Sequence, residues 1–141
     1  SPDLDTTIAS ALEEQIRTLD LSARINLAGE TDDLTTAYAE ADIFALASRY
    51  EGYGMVFAEA LSHGLPIIAC KAGAVPDVVP TEAGYLVPVD DVEAVASALR
   101  TLLTDHEERS RRAEAAARAG ALLPQWEDTS KIISMALKEL A

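Results

Sequence analysis

Glu51 and Glu59 flank a glycine-containing turn in Ser48-Arg-Tyr-Glu-Gly-Tyr-Gly54, a polar stretch that runs directly into Met55-Val-Phe-Ala-Glu59. Glycine lets a backbone approach a bound group closely, and the first N–H groups of a helix have no acceptor within it. A glycine turn that opens a helix at Met55 is therefore a phosphate cradle that needs no basic side chain. Glu51 lies on the loop and Glu59 a little over one turn into the helix, so the two acids reach a ligand from two directions. A carboxylate offers two acceptor oxygens, which suits the vicinal diol of a ribose or a hexose. Phosphate held by backbone and two diols held by two acids describe a nucleotide sugar. Spacing alone is equally compatible with Glu59 as a solvated helix residue and Glu51 as an ordinary loop acid.

The elements that position this stretch follow from apolar periodicity. Leu4, Ile8, Ala11, Leu12, Ile16 and Leu19 recur at helical spacing and predict a helix over 4–19. Ile25 and Leu27 alternate with polar neighbours up to Gly29, which predicts a short strand over 24–29. Thr31, Asp32 and Asp33 offer oxygens to cap a helix over 34–41. Asp42-Ile-Phe-Ala-Leu-Ala47 and Leu65-Pro-Ile-Ile-Ala-Cys70 are continuous apolar runs, the pattern of strands buried on both faces. Between them a helix over 55–62 stops at His63-Gly64, with Pro66 barring continuation. Val75 to Val79 predicts a short helix, and Gly84-Tyr-Leu-Val-Pro-Val89 a strand near an edge because of Pro88. Asp90 can cap a helix carrying Val92, Val95, Ala96, Leu99, Leu102 and Leu103. A charged, alanine-packed helix over 106–120 and a last helix over 126–140, after Pro124, complete the chain. Strands alternating with helices predict an α/β fold: a Rossmann-like parallel sheet with helices on both faces and a helical C-terminal segment.

Composition narrows the ligand further. The 141 residues carry 24 Asp and Glu against 11 Lys and Arg, a formal net charge of −13. Such a surface repels nucleic acid and anionic lipid, so no nucleic-acid partner is expected, and any anion must be held by a local feature. At 49% apolar and 25% charged, with mean hydropathy +0.08, the chain is neither a disordered tail nor a disulfide-stapled miniprotein. The length predicts one domain over 1–141. Cys70 has no second cysteine to pair with, and nothing resembles a signal peptide or a spanning segment, so the expected location is cytoplasmic. No His, Cys, Asp and Glu cluster has metal-ligand spacing, so neither metal nor cofactor is expected. A doubly wound sheet normally opens on a strand, whereas Ser1-Pro2-Asp3 passes straight into a helix. A first strand outside this stretch is expected.

Several ordered motifs together resemble a known family. Ser48-x-x-Glu51-Gly-Tyr-Gly54, then Glu59-Ala60-Leu61-x-x-Gly64-x-Pro66-Ile-Ile, then Gly73-x-x-Pro76-Asp77-Val-Val79, then Gly84-Tyr-Leu-Val-Pro88 is similar to the donor-binding domain of the retaining glycosyltransferases of family 4. That family has the GT-B fold, and is recognised by Glu-x7-Glu in a Glu-Gly-Phe-Gly context. The resemblance runs from the Arg24 segment to Trp126. Ala47 replaces a usual proline, Tyr53 a phenylalanine, Ala74 the second glycine of a pair, and Asp77 a glutamate.

The resemblance implies the C-terminal half of a GT-B fold, whose N-terminal acceptor domain lies outside this stretch, and a hexosyl transfer from a nucleoside-diphosphate sugar to an acceptor hydroxyl. It implies that Glu51 bonds the hydroxyls of the transferred sugar and that Gly52, Tyr53 and Gly54 line the sugar and diphosphate. The amides of Met55 and Val56 would meet phosphate oxygens, Glu59 the ribose, and Gly29, Glu30, Thr31 and Asp33 the nucleobase region. Asp32 and Asp33 suit a guanine amino group, but helix capping accounts for them equally. The family's diphosphate-neutralising Arg and Lys have no match here, so the isolated chain is expected to be inactive. Membrane contact, where any exists, would belong to the acceptor domain.

Other candidates have plainer readings. His63 reads as a cap or packing residue, His106 as solvent-facing, Cys70 as core, and Trp126 as the anchor of the last helix. Arg49 and Lys71 lie on ligand-side loops, where contact with phosphate or acceptor and simple exposure are both open. Arg109, Arg111 and Arg112 alternate with acids and read as a solvated face. A non-catalytic nucleotide-sugar-binding or scaffold module of the same fold is the alternative to an enzyme. A receiver-like α/β regulator would need an acidic cluster at the strand ends that this sequence does not show.

Overall fold

The computed structural model describes residues 2–29, 33–49 and 54–123. Ser1–Leu34 and Thr35–Ala141 form two compact units. The glycine turn's Glu51, Gly52 and Tyr53, the nucleobase-region residues Glu30 and Thr31, and the helix expected over 126–140 lie outside the described residues.

The first unit is dominated by α1 (Pro2–Thr18). Its end is set by Asp20, which takes a left-handed φ of 57°. That turn lets the Leu21 N–H reach the Ile16 carbonyl at 2.9 Å and the Asp20 N–H reach the Arg17 carbonyl at 3.1 Å. These paired bonds close the helix and fold Leu21 back over Ile16. The strand expected over 24–29 is not formed. The Arg24 N–H is turned back to the Leu21 carbonyl at 2.9 Å, and Ile25 and Leu27 are exposed. Alternation can set up a strand, but its N–H and C=O groups need a neighbour, and no strand among the described residues pairs with this segment.

The second unit runs α2 (Leu34–Glu40), β1 (Phe44–Leu46), α3 (Met55–Ser62), β2 (Ile67–Cys70), α4 (Val75–Val78), a 3₁₀ turn (Thr81–Ala83), β3 (Gly84–Val87), α5 (Val92–Thr104) and α6 (His106–Leu122). The three strands are parallel in the order β1-β2-β3, with Phe44 opposite Ile67 and Ile68 opposite Tyr85. The fold is α/β and Rossmann-like.

Central β2 is buried along its whole length, as its unbroken apolar run requires. Its successive side chains feed two cores. Ile67 and Ala69 join Tyr38, Phe57, Leu61, Val75 and Ala116 on one face, beneath α2, α3, α4 and α6. Ile68 joins Ala98 and Leu102 of α5 on the other. Helices therefore cover both faces. β1 departs from the expectation of a doubly buried strand: Ala45 is exposed. It stands in register with Ile68, on the face where α5 packs over β2 and β3.

Close approach of α3 to α6 depends on Gly120. A Cβ there would lie 2.4 Å from the Leu61 carbonyl oxygen, inside any allowed contact. The buried residues of α6, Ala115, Ala116 and Gly120, are all small, so the alanine-rich pattern brings its axis tight against α3.

Candidate functional site

α3 begins where the sequence places it, at Met55. Gly54 is its N-cap residue, with φ 63° and ψ 10°, a left-handed conformation that costs glycine nothing and other residues about 1–2 kcal/mol. Its Cα also faces Val78 of α4, where an added Cβ would meet Cγ2 at 2.7 Å. Both grounds disfavour a side chain at this position. The Ala58 N–H donates to the Gly54 carbonyl at 3.0 Å, the first bond of the helix. As a glycine, the cap residue has no side chain to satisfy the first amides of the helix. The N–H groups at Met55, Val56 and Phe57 precede any acceptor in the helix and carry the positive end of its dipole. An anion can take that place.

Glu59 lies about 6 Å further along the axis, by helix rise, and is half-buried. An aromatic group supports its side of the helix. Buried Tyr38 of α2 stacks on Phe44 at 5.7 Å and on His63 at 5.4 Å, while Phe44 meets Phe57 edge-on at 5.6 Å. Burial, then the negative charge of Glu59, push the Tyr38 hydroxyl above its usual range. His63 closes the helix with its ring nitrogen Nδ1 3.0 Å from the Glu59 carbonyl oxygen, as its reading as a cap and packing residue requires. Gly54, Met55, Val56 and Glu59 are thus gathered on one short helix. Gly29, with φ 72°, and Asp33 belong to the first unit and are both exposed.

Two expectations about charged residues are corrected. Asp91, not Asp90, caps α5, accepting from the Ala94 N–H at 3.0 Å. Asp90 instead takes a left-handed φ of 66° and accepts from Arg49 Nε at 2.8 Å. Arg112 is not on a solvated face. Its guanidinium lies 4.0 Å over the Tyr85 ring and donates to the carbonyls of Thr81 and Gly84 at 2.7 and 2.8 Å. Glu108 joins it, accepting from Arg112 Nε at 2.6 Å and from the Tyr85 hydroxyl at 2.7 Å. Those bonds, with a third from Arg111, hold the Glu108 carboxyl down at about 2. A groove of about 450 Å³ lies beside this network, lined by Glu82, Arg111, Arg112 and Arg118 among others. Glu108, Arg111 and Arg112 pair with one another, with Tyr85 and with backbone carbonyls, so this network docks α6 on β3. The Glu-x-x-Arg-Arg spacing signals the pairs within α6 but not the carbonyls that Arg112 reaches.

The sequence pattern of the family described as glycosyl transferases group 1 matches residues 4–105. The chain is 44% identical over 82 residues to sulfoquinovosyl transferase SQD2 of Arabidopsis thaliana, covering 55% of this chain and 16% of that protein. Sucrose-phosphate synthase of Thermosynechococcus elongatus is similar in structure with a TM-score of 0.74 at 28% identity, over 92% of this chain and 33% of that one. HepE of Anabaena, solved in complex with UDP-glucose, is similar with a TM-score of 0.77 at 25% identity, over 93% of this chain and 36% of that one. The chain spans little more than a third of these proteins at most. No helix among the described residues is long and apolar enough to cross a membrane.

Proposed function

Because the chain belongs to the glycosyl transferases group 1 family, we propose that it supplies the donor-binding half of a retaining glycosyltransferase that moves a hexosyl unit from a nucleoside-diphosphate sugar to an acceptor hydroxyl. The observation that carries this reading is the start of α3. Gly54 is left-handed at the helix start; on this reading the amides of Met55 and Val56 meet a diphosphate, and Glu59, about 6 Å further along the helix, takes the ribose. The UDP-glucose bound by HepE supports a nucleotide sugar as ligand. On this reading Glu51 and the backbone of Gly52 and Tyr53 hold the sugar, Glu59 accepts from the ribose hydroxyls, and Gly29, Glu30, Thr31 and Asp33 lie along the base.

In the reaction the bond between the anomeric carbon and the leaving phosphate oxygen breaks. The acceptor oxygen bonds to that carbon on the same face and gives up its proton to the departing phosphate oxygen. The chain's part is to fix the sugar and to stabilise charge on the departing diphosphate through oriented amides. The acceptor is held by the rest of the protein, and no metal ion takes part.

The test is transfer by the whole protein in excess chelator, with the anomeric configuration of the product read by NMR. Retained configuration at an undiminished rate is expected, and an inverted product or loss of activity in chelator would contradict the proposal. Donor binding without transfer would instead favour a binding module of the same fold. The 141-residue chain alone is expected to give no turnover.

A further inference from the structure

The carboxyl end of the sheet carries a lysine that the donor site described above leaves unused. The Lys71 N–H donates to the Val87 carbonyl at 2.8 Å, so its backbone continues the β2–β3 ladder past Cys70. Side chains alternate between faces along a strand. Ile67 and Ala69 lie in the core that holds Phe57 of α3. Ile68 packs with Ala98 and Leu102 of α5, and Cys70 lines a pocket with Val92 and Val95 of the same helix. The alternation therefore sets Lys71 in the Ile67–Ala69 row, on the face that α3 covers. Unlike those two residues it is exposed. Because α3 joins two parallel strands, it runs back against them and starts at their carboxyl end. The row thus leaves the core at the end of the sheet where α3 begins.

The loop after Lys71 is tied to that same helix start. The Ala72 N–H donates to the Cys70 carbonyl at 2.9 Å and the Val75 N–H to the Ala72 carbonyl at 3.2 Å. Ala74, the last residue of the loop, adjoins Gly54: a Cβ added at Gly54 would lie 3.9 Å from the Ala74 Cβ. One end of the loop is fixed on β3 and the other against the N-cap of α3, which holds the lysine backbone in place relative to the amides of Met55 and Val56. Charge marks the residue as well. Arg49, which follows β1, is committed to Asp90 at 2.8 Å, whereas Lys71 enters no ion pair among the described residues. An ammonium on a flexible four-carbon stem is a point charge suited to phosphate oxygens.

We infer that Lys71 is a binding residue for the diphosphate of the donor, its ammonium meeting the phosphate oxygens held at the start of α3. The inference rests on the donor-site reading above. The amides offer a departing diphosphate oriented dipoles, and Lys71 adds a full positive charge on the same face of the sheet. It acts at contact range. The chain's net charge of −13 already includes it, so the long-range repulsion of an anion persists.

The test compares Lys71→Gln and Lys71→Arg with the parent in the whole protein, by calorimetry with whichever of UDP, GDP and ADP the parent binds. Lys71→Gln is expected to bind that nucleotide about ten-fold more weakly, the effect of losing a hydrogen bond to a charged group. Lys71→Arg should keep most of the parent's affinity. The deficit of Lys71→Gln should shrink as ionic strength rises, because salt screens an exposed charge. Thermal midpoints of the three proteins should coincide, since the side chain is exposed. Unchanged nucleotide affinity in Lys71→Gln would overturn the inference, as would an equal loss in Lys71→Arg or a deficit indifferent to salt. A raised acceptor KM with intact nucleotide affinity would overturn it too, and assign Lys71 to the acceptor. Glu59→Ala separates this inference from the reading beneath it. Weakened binding in Glu59→Ala with none in Lys71→Gln removes the lysine and leaves the donor site standing. Equal binding by the parent and Glu59→Ala defeats the ribose contact, while a salt-dependent loss in Lys71→Gln would still put Lys71 on the phosphates.

Discussion

Gly54 meets two demands at one position, a left-handed backbone and a gap too small for a methyl group beside Val78. Replacing it with alanine sets about 1–2 kcal/mol of backbone strain against a contact with the end of a branched side chain. The expected outcome for Gly54→Ala is a lowered denaturant midpoint together with a displaced first turn of α3, read as weakened nucleotide binding. Unchanged affinity would show that the amides at Met55 and Val56 do not hold the ligand. Tyr38 offers a gentler probe of Glu59. Tyr38→Phe keeps the rings against Phe44 and His63 but removes the hydroxyl on which the charge of Glu59 acts. Thermal stability should stay close to the parent's while donor affinity falls a few-fold, and a large stability loss with intact affinity would assign Tyr38 to packing alone.

Elements were legible in the sequence wherever their signals were local. Met55 to Ser62 and β2 follow from a glycine turn, an apolar run and a proline, all within a few residues of each other. The segment 24–29 was not, because its alternation specifies a face and not a partner. The α5 cap fell on Asp91 because turn geometry, not residue type, distinguishes it from Asp90. Arg112 was illegible for a different reason: its acceptors, the carbonyls of Thr81 and Gly84, lie 31 and 28 residues away. At the candidate site the start of α3, and with it the place of Glu59 along the helix, was legible, since both depend on spacing along one element. The docking of α6 yields two predictions. The Glu108 carboxyl is lowered from 4.5 to about 2, so its contribution is complete above pH 4.5 and is lost as pH falls toward 2. Glu108→Gln should lower the melting temperature at neutral pH and flatten the acid decline between those values; coincident acid limbs would refute the network's role. Gly120→Ala places a Cβ against the Leu61 carbonyl and should cost at least about 1–3 kcal/mol in chemical denaturation. No loss there would mean that α3 and α6 can separate freely.

At the scale of the whole molecule the charge of −13 repels the ligand class proposed for it. A diphosphate then has to be held by glycine backbone and helix dipole, features whose attraction is short-ranged, against a long-range opposing field. Added salt screens the field more than the contacts. Association of a nucleoside diphosphate with the chain should accordingly quicken from low to physiological ionic strength, where a basic site would slow. The central claim is that α3 holds the donor, with Glu59 on the ribose. Calorimetric titration of the parent and Glu59→Ala with UDP, GDP, ADP and their sugar conjugates tests it most directly. One nucleotide series should bind the parent and lose about ten-fold or more in Glu59→Ala, the effect of removing hydrogen bonds to a charged group. Equal binding by the two proteins, or none by the parent, would contradict it.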